Sequence, residues 1–466
     1  MYKTSYTREQ IEELLSKSER IFFIGIGGVS MSSLAHISLE NGFKVSGSDR
    51  TKTALTKKLE YDGIKIYYCH DKENIKDADI VVYTAAIPET NPEFAEARDK
   101  GIPLVYRADY LGYIMSKYKN RIGVSGMHGK STVTSMISEI FLKADADPTV
   151  VSGAALSKLE GGTYRRGSNE HFIMEACEYC DSFLSFTPNI AVVLNIEMDH
   201  PDYFEDINHI KRSFTEYLHI ADNGYAVVNW DDMNVRECCK DYKGRLIKVG
   251  LSSEDLDFSA VNINTDNGFP EYDLVRTGEI ISHVKLSVTG DHNVINSVIS
   301  AAVADICNIS VKDAAAGLYE FTGASRRMEY RGEIFDGRAK LYDDYAHHPT
   351  EIRSTLAGAK KAFKNNIWCI YQPHTYSRTA ELYDEFIRSF DGVKVIYTDI
   401  YAAREVNTTG ITSEMLARDT AEAKYIGEFS DIVKYLYENV KENDTVIVMG
   451  AGDIIKLSGM LIDYKG

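Results

Sequence analysis

The sequence predicts an α/β chain of three successive units, each built on a parallel sheet. Three observations lead there. Short apolar, β-branched runs alternate with helical stretches along the chain, as strands wrapped by helices do. Two of these runs pass straight into glycine turns that open helices, at Gly25 to Gly28 and at Gly126 to Gly129. A length of 466 residues corresponds to about three domains.

The first unit opens with the strand Ile21 to Ile24 followed by GIGGVSMSSLA. Gly25, Gly27 and Gly28 make a tight turn into a helix beginning near Ser30, which stands in the third slot of a G-x-G-x-x-S fingerprint. A second strand, Phe43 to Ser46, leads into Ser48 and Asp49, and a later one, Ile80 to Tyr83, into Thr84, Ala85, Ala86 and Ile87. Ligands of doubly wound sheets sit beyond the carboxyl ends of the strands, where all these residues fall. The fingerprint by itself fits a dinucleotide, a nucleotide sugar or a plain tight turn.

A strand from Pro103 to Tyr106 and a helical stretch over Arg107 to Lys119 mark a boundary. The second unit then begins with RIGVSGMHGKSTVTSM: a strand (Ile122 to Val124), a glycine turn, and a helix opening on Lys130, Ser131 and Thr132. The N–H groups of such a turn cradle phosphate oxygens, the lysine supplies a point charge, and the hydroxyl after it reaches magnesium. Val124 stands where the full phosphate-loop pattern has glycine, so the match is the shorter G-x-x-G-K-S. The plain alternative is a strand-to-helix turn with a surface lysine.

Further along, His171 to Met174 ends at Glu175, the usual place for a magnesium-ordering acid. The run Ile190 to Ile196 reads as a buried parallel strand. It brings Asn195, Glu197, Asp199 and His200 to its carboxyl end, as contacts to metal or phosphate or as acids of a polar loop. VTGDHNVINSVISAAVADI turns into an apolar helix with His292, Asn293 and Asn296 at its start. The two asparagines share a helix face. Their amides suit an adenine edge, and helix capping by Asp291 or Asn293 is the alternative.

The third unit starts near Ala324-Ser325-Arg326-Arg327. YDDYAHHPTEI (Tyr342 to Ile352), the strand Ile367 to Tyr371 into QPHTYSRT, Val395 to Thr398 into DIYAARE, and Val446 to Val448 into MGAGDI follow in turn. A third parallel sheet would gather Asp344, Tyr345, His347, His374, Arg378, Asp399, Arg404 and Gly450 to Gly452 on one rim. Polar residues at the ends of several strands of one sheet suggest a site rather than a solvated face.

The composition excludes other classes. A net charge of −17 argues against a nucleic-acid binder, which carries a basic face. No run of 18 apolar residues occurs, so no membrane span is expected. The N-terminus reads as a polar helix rather than a signal peptide, and the expected location is the cytoplasm. Seven scattered cysteines fit reduced thiols there. Cys177 and Cys180 form a C-x-x-C, but a structural zinc site wants a second pair and Cys238-Cys239 is too tight to chelate.

Twelve motifs in this order resemble the Mur ligase family: FIGIGGVSMSSLA, VSGSD, VYTAAI, GMHGKST, EACEYCDSF, NIEMDH, GDHNVIN, ASRRMEY, DDYAHHPTE, QPHTYSRT, DIYAARE and GAGDI. The resemblance spans essentially the whole chain. It implies an N-terminal Rossmann-like UDP-sugar-binding domain (1–107), a central P-loop ATP-binding domain (108–324) and a C-terminal Rossmann-like amino-acid-binding domain (325–466). It also implies an ATP- and Mg²⁺-dependent ligase, in the branch that adds L-alanine to UDP-N-acetylmuramate through an acyl phosphate, working as a monomer or homodimer.

By the same resemblance, Gly126, His128, Gly129, Lys130, Ser131 and Thr132 bind the triphosphate. His292, Asn293, Asn296 and Arg327 stand on the adenine and domain-junction side. Ser131, Glu175 and His200 look like magnesium ligands. Tyr345, His347, His374 and Arg378 match the amino-acid site. Lys130, His200, Asp344, His347 and Arg378 match the catalytic positions. Gly25, Gly27, Gly28, Ser30, Ser48, Asp49 and Thr84 to Ile87 match the UDP-sugar site.

The chain departs from the family pattern at Met127 and Val133, where the commonest loop has hydroxyls, and at Thr375, where many members carry arginine. Other branches modify a lysine near the metal. No equivalent is assigned here, Lys211 being a guess. Three alternatives stand beside this reading: a sibling that reattaches recovered peptides to the same sugar nucleotide, a nicotinamide dehydrogenase, and a non-catalytic UDP-sugar-binding paralogue.

Overall fold

A computed structural model describes residues 6–155, 159, 162–200, 203–403 and 405–465. Three sheets follow one another along the chain. The first has five parallel strands in the order Lys65–Tyr67, Lys44–Ser48, Arg20–Ile24, Ile80–Tyr83, Leu104–Tyr106. The chain starts in the middle and winds outward to both edges, so the order reverses beside Arg20–Ile24. That reversal opens the crevice where doubly wound sheets bind ligands. The helix Val29–Glu40 leaves the glycine turn with Gly28 as its N-cap and no side-chain cap on its first N–H groups.

The second sheet has ten strands. Its middle is parallel, with Ile190–Val193, Asn120–Ser125 and His171–Glu175 side by side. Val193 pairs with Ser125 and Val124 with Glu175, so the carboxyl ends of these three strands lie level. The phosphate-loop, EACE and NIEMDH segments therefore leave the sheet next to one another. One flank continues into an antiparallel meander, Phe258–Asn264, Glu271–Arg276 and Glu279–Lys285. The other flank ends in the antiparallel pair Thr149–Val151 and Tyr164–Arg165.

The third sheet runs Glu329–Ile334, Ala339–Asp344, Asp444–Met449, Ile367–Tyr371, Lys394–Tyr397, Ala423–Tyr425. It is parallel except for Glu329–Ile334, which pairs antiparallel at one edge. The expected purely parallel sheets are thus mixed in two units of the three.

The apolar run Ile190 to Ile196 gives a shorter strand than expected, Ile190–Val193. Leu194 N still reaches Ser125 O, but Ile196 N turns to the Asp232 carboxylate, and the chain leaves the ladder. Met127 and Val133 are buried in apolar clusters, so the hydroxyls absent at these two positions would have met core atoms. Lys211, on the helix Ile207–Ile220, is paired with Glu237 at 2.8 Å. All seven cysteines are free thiols. Among the described residues no helix is long and apolar enough to cross a membrane.

Candidate functional site

The phosphate loop is held in place from the neighbouring strand end. Asn195 accepts the His128 N–H at 2.8 Å and donates to the His128 carbonyl at 3.0 Å, and its own carbonyl takes the Met127 N–H. Gly126 and Gly129 adopt φ of +141° and +86°, which side chains with a Cβ rarely reach. A Cβ on Gly126 would stand 2.9 Å from the Leu194 side chain, so the loop can lie flat on that strand end only as glycine. The helix Lys130–Lys143 starts at Gly129 with no side-chain cap, leaving its first N–H groups for an anion.

Lys130 folds back over this loop. Its ammonium donates to Gly126 O at 2.5 Å, to Met127 O at 3.1 Å and to Glu178. Burial works against its charge, but Glu178 outweighs burial and raises its pKa. Ser131 donates to Glu175 Oε2 at 3.0 Å, and Glu175 Oε1 accepts from Ser152 and the Gly153 N–H. Ser131 and Glu175 thus offer adjacent hard oxygen donors, which fit magnesium. His200, the third expected ligand, stands beside Glu178, with Nε2 at 3.4 Å from its carboxylate.

A cavity of about 530 Å³ lies between the second and third units. His128, Gly129 and Thr132 line one side, Asn293 and Asn296 its floor, and Arg327 the far wall. Asn296 Nδ2 donates to Asn293 Oδ1 and Asn293 Nδ2 to Thr289 O, so the pair is a buried amide network rather than a helix cap. Asp291 caps nothing with its side chain and pairs with Lys361 of the third unit at 2.6 Å. Burial and Arg327 push His292 down to about 4, keeping it neutral.

Glu351 joins the two halves. Its carboxylate meets His128 Nδ1 at 3.4 Å, Arg327 at 3.3 Å and the His347 N–H at 3.0 Å. It is buried, yet the His347 N–H, Arg327 and the His128 imidazolium hold it well below the usual carboxylate range. His128 also contacts Glu197 directly. Burial opposes the imidazolium, but Glu197 and Glu351 prevail and lift His128 to about 9. Among the described residues, His128, Glu197 and His348 are the one group of metal-type side chains with ligand atoms within 4.8 Å.

On the rim of the third sheet, Asp344 accepts the Met328 and Ala346 N–H groups at 2.9 and 2.8 Å. Burial pushes its carboxyl up to about 6, against the pull of Arg327. Burial likewise drives His347 down to about 3, against Glu351. The Tyr345 ring lies under both Arg326 and Arg327. His374 stacks on Tyr401, and Thr375 donates to Glu405 at 2.6 Å. Arg378 donates to Asp199 of the second unit through Nε and Nη2 and to the His374 carbonyl. Asp399 faces outward and accepts from Tyr425, and Arg404 lies outside the described residues.

In the first unit, the Gly27 N–H donates to Asp49 at 2.9 Å, and Gly25 and Ile26 bond to the Ser48 carbonyl. Thr84 and Ile87 form a turn that packs over Gly25, with Ala85 and Ala86 at its tip. Ser30 accepts from Arg107 at 3.0 Å. The Ser48 side chain points inward to Glu93 and His70, so only its backbone borders the glycine turn.

Residues that the sequence reading left unassigned also belong to these clusters, Glu178, Glu351, Arg107 and Ser152 among them. Glu178 is the second acid of EACE and Glu351 the one acid of HHPTE, and their spacing from the assigned residues was the available signal. Arg107 follows the strand Leu104–Tyr106 at its carboxyl end. Nothing local distinguishes Ser152.

Comparisons with known proteins cover nearly the whole chain. Residues 20–119 match "Mur ligase family, catalytic domain", residues 124–304 "Mur ligase middle domain", and residues 326–452 "Mur ligase, glutamate ligase domain". The UDP-N-acetylmuramate–L-alanine ligase of Acetivibrio thermocellus is 47% identical over 97% of both chains. That of Clostridium botulinum strain Langeland is 45% identical over 96% of this chain and 98% of the other. The crystal structure of a UDP-N-acetylmuramate–alanine ligase from Thermotoga maritima superimposes with a TM-score of 0.81 at 26% identity, over 95% of this chain and 98% of that one. A murein peptide ligase from Psychrobacter arcticus shares the fold, with a TM-score of 0.72 at 22% identity over 96% of this chain and all of that one.

Proposed function

The chain belongs to the Mur ligase family, and we infer that it uses ATP to join L-alanine to the carboxylate of UDP-N-acetylmuramate in peptidoglycan synthesis. One observation carries the reading at the site. The cavity floored by Asn293 and Asn296 is bordered by the phosphate loop on one side and by Arg327, Asp344 and Glu351 of the third unit on the other. A nucleotide held there has its phosphates at Lys130 and its far side against the unit expected to bring the amino acid.

The chemistry follows from the charges to be brought together. A carboxylate oxygen of the sugar attacks the γ-phosphorus, the bond to the β-bridging oxygen breaks, and ADP leaves. The amine, having lost one proton from its ammonium form, adds to the carbonyl carbon of the acyl phosphate. The nitrogen then gives up a second proton, the bond from that carbon to the phosphate oxygen breaks, and phosphate departs carrying that proton. Protein groups contribute mainly position and charge neutralisation to such a transfer. The His128 imidazolium and Arg327 on the cavity wall, and Lys130 next to Gly129 beside it, supply three positive charges. Ser131 and Glu175 would hold magnesium, with His200 near by. When bound it supplies charge neutralisation at the phosphates.

We assign the UDP-sugar to the uncapped helix start at Gly28, flanked by Asp49 and Arg107. Tyr345, His347, His374 and Arg378 are the amino-acid side. Contacts between the second and third units, through Glu351 and through Asp199 and Arg378, exclude water that would hydrolyse the acyl phosphate. Because it would draw on ATP and a nucleotide sugar, we assign the work to the cytoplasm.

The test is phosphate release from ATP and Mg²⁺ with UDP-N-acetylmuramate and, separately, L-alanine, glycine, L-serine or L-Ala-γ-D-Glu-meso-diaminopimelate. Release that requires the sugar and L-alanine is expected. Release with the tripeptide alone would move the chain to the peptide-recycling branch.

A further inference from the structure

Glu178 has no role in the chemistry above, yet it lies between two residues that do. Its side chain is 1% exposed. The two carboxylate oxygens stand 3.1 and 3.0 Å from Lys130 Nζ, and Oε1 stands 3.4 Å from His200 Nε2. The other two acceptors of Lys130, Gly126 O and Met127 O, are neutral, so Glu178 is the anion bonded to the lysine. We propose that Glu178 is a positioning residue that orients Lys130 and His200 together and fixes His200 in the tautomer carrying its proton on Nε2.

The argument starts from what a carboxylate can do. Paired with an ammonium, Glu178 is ionised and only accepts hydrogen bonds. A neutral His200 that faces this carboxylate at 3.4 Å presents its proton on Nε2, which leaves the lone pair on Nδ1. A carboxylate behind a histidine sets the tautomer and the ring orientation of a metal-ligating imidazole in just this way. The same carboxylate limits where Lys130 can go. The ammonium has three donors, so it can exchange the two loop carbonyls for phosphate oxygens and keep Glu178.

The backbone around Glu178 is shaped for this. Residues Tyr179–Ser185 form a short 3-10 segment in which Cys180 and Asp181 take φ of 55° and 54°, a region that non-glycine residues enter at a cost of about 1–3 kcal/mol each. Tyr203 holds that turn by donating to Asp181 Oδ2 at 2.5 Å. The Tyr179 ring lies 4.9 Å from the His200 ring and braces it from another side. Such backbone strain persists where the surrounding structure fixes it, characteristically at working sites.

The catalytic part of the proposal rests on the ligase reading, and the tautomer does not. The experiment is therefore a pair of measurements on the full chain. The first is a ¹⁵N spectrum of its histidine side chains, with His200 assigned by His200→Gln. The second is phosphate release with the ligase substrates. Wild type should show His200 protonated on Nε2. Glu178→Gln should lose that single tautomer, and its turnover should fall by about 10- to 100-fold, the usual effect of an outer-shell partner, with the KM for L-alanine unchanged. Glu178→Asp keeps the charge but withdraws it by one methylene, and should fall between the two. If Glu178→Gln does not fold, the spectrum and turnover of Glu178→Asp decide.

A wild-type His200 protonated on Nδ1 overturns the proposal. So does a Glu178→Gln enzyme with the wild-type tautomer and turnover. A wild type that releases no phosphate, but whose His200 signal responds to Glu178→Gln, overturns the ligase reading and leaves the positioning intact.

Discussion

Asn195 grips the backbone of His128 at both ends, accepting its N–H at 2.8 Å and donating to its carbonyl at 3.0 Å. One amide side chain thus fixes the peptide units on which the phosphate loop turns. Asn195→Ala removes both bonds and leaves two backbone groups to find water. At about 1 kcal/mol or more per bond, nucleotide affinity should weaken by about 10-fold or more, with UDP-sugar affinity unchanged. Calorimetric titration of the variant with an ATP analogue and with UDP-N-acetylmuramate checks both halves.

Lys130→Ala should separate the two nucleotide sites. Lys130 lies on the loop of the second unit, whereas the sugar site we assign is in the first. Loss of a preorganised positive charge at a phosphoryl-transfer centre should lower turnover by about 100-fold or more, while UDP-N-acetylmuramate still binds. Turnover within a few-fold of wild type would remove the phosphate-loop assignment.

His128 gives a pH signature. Its pKa rises from 6.5 in the unfolded chain to about 9 in the fold, against burial and through Glu197 and Glu351. The folded state therefore binds the proton more tightly. The stability this confers is full below pH 6.5 and is lost as pH climbs through 9, an effect on the order of 3 kcal/mol. Thermal unfolding followed from pH 6.5 to 9.5 should show the loss in wild type and a flatter profile in His128→Gln.

The site was legible in the sequence where function follows local chain order. The glycine turns, Glu175 and the asparagine pair announce themselves because a strand, a turn and a helix stand in a row. Glu351 and Glu178 stayed unassigned because their partners, His128 and His200, are distant in sequence and meet them only through packing. Spacing placed Ser48 at a strand end but could not say which way its side chain points. It faces Glu93 and His70 because alternate residues of that strand turn to opposite sides of the sheet. The antiparallel edges of the second and third sheets were hidden for a related reason, since strand direction depends on the crossover and not on the apolar run itself.

Gly27→Ala tests the first unit alone. A Cβ there would stand 2.8 Å from Asp49 Oδ2 and 2.9 Å from Thr56 Cγ2. It would press on the carboxylate that accepts the Gly27 N–H, and the turn would have to open. UDP-N-acetylmuramate binding should weaken strongly, with ATP-analogue binding at the wild-type level. Equal losses of both ligands would mean that the turn supports the fold and not the sugar site.

Arg378 carries the last prediction, because it sits between substrate and structure. Its guanidinium is buried against Asp199, across the boundary between the second and third units. Burial raises the cost of the Asp199 charge, yet the His200 backbone N–H and the Arg378 guanidinium hold its pKa far below normal. Arg378→Ala leaves that carboxylate buried and unpaired, and a lone charge of this kind costs about 3–5 kcal/mol. A purely structural arginine would show this loss of stability, and the double variant Asp199→Asn with Arg378→Met, which removes both charges, would recover stability and activity together. An arginine that also holds the amino acid's carboxylate predicts something different. The double variant should regain its melting temperature while the KM for L-alanine stays raised and the KM for ATP is near normal. The split between melting temperature and KM in that one variant decides which role Arg378 has.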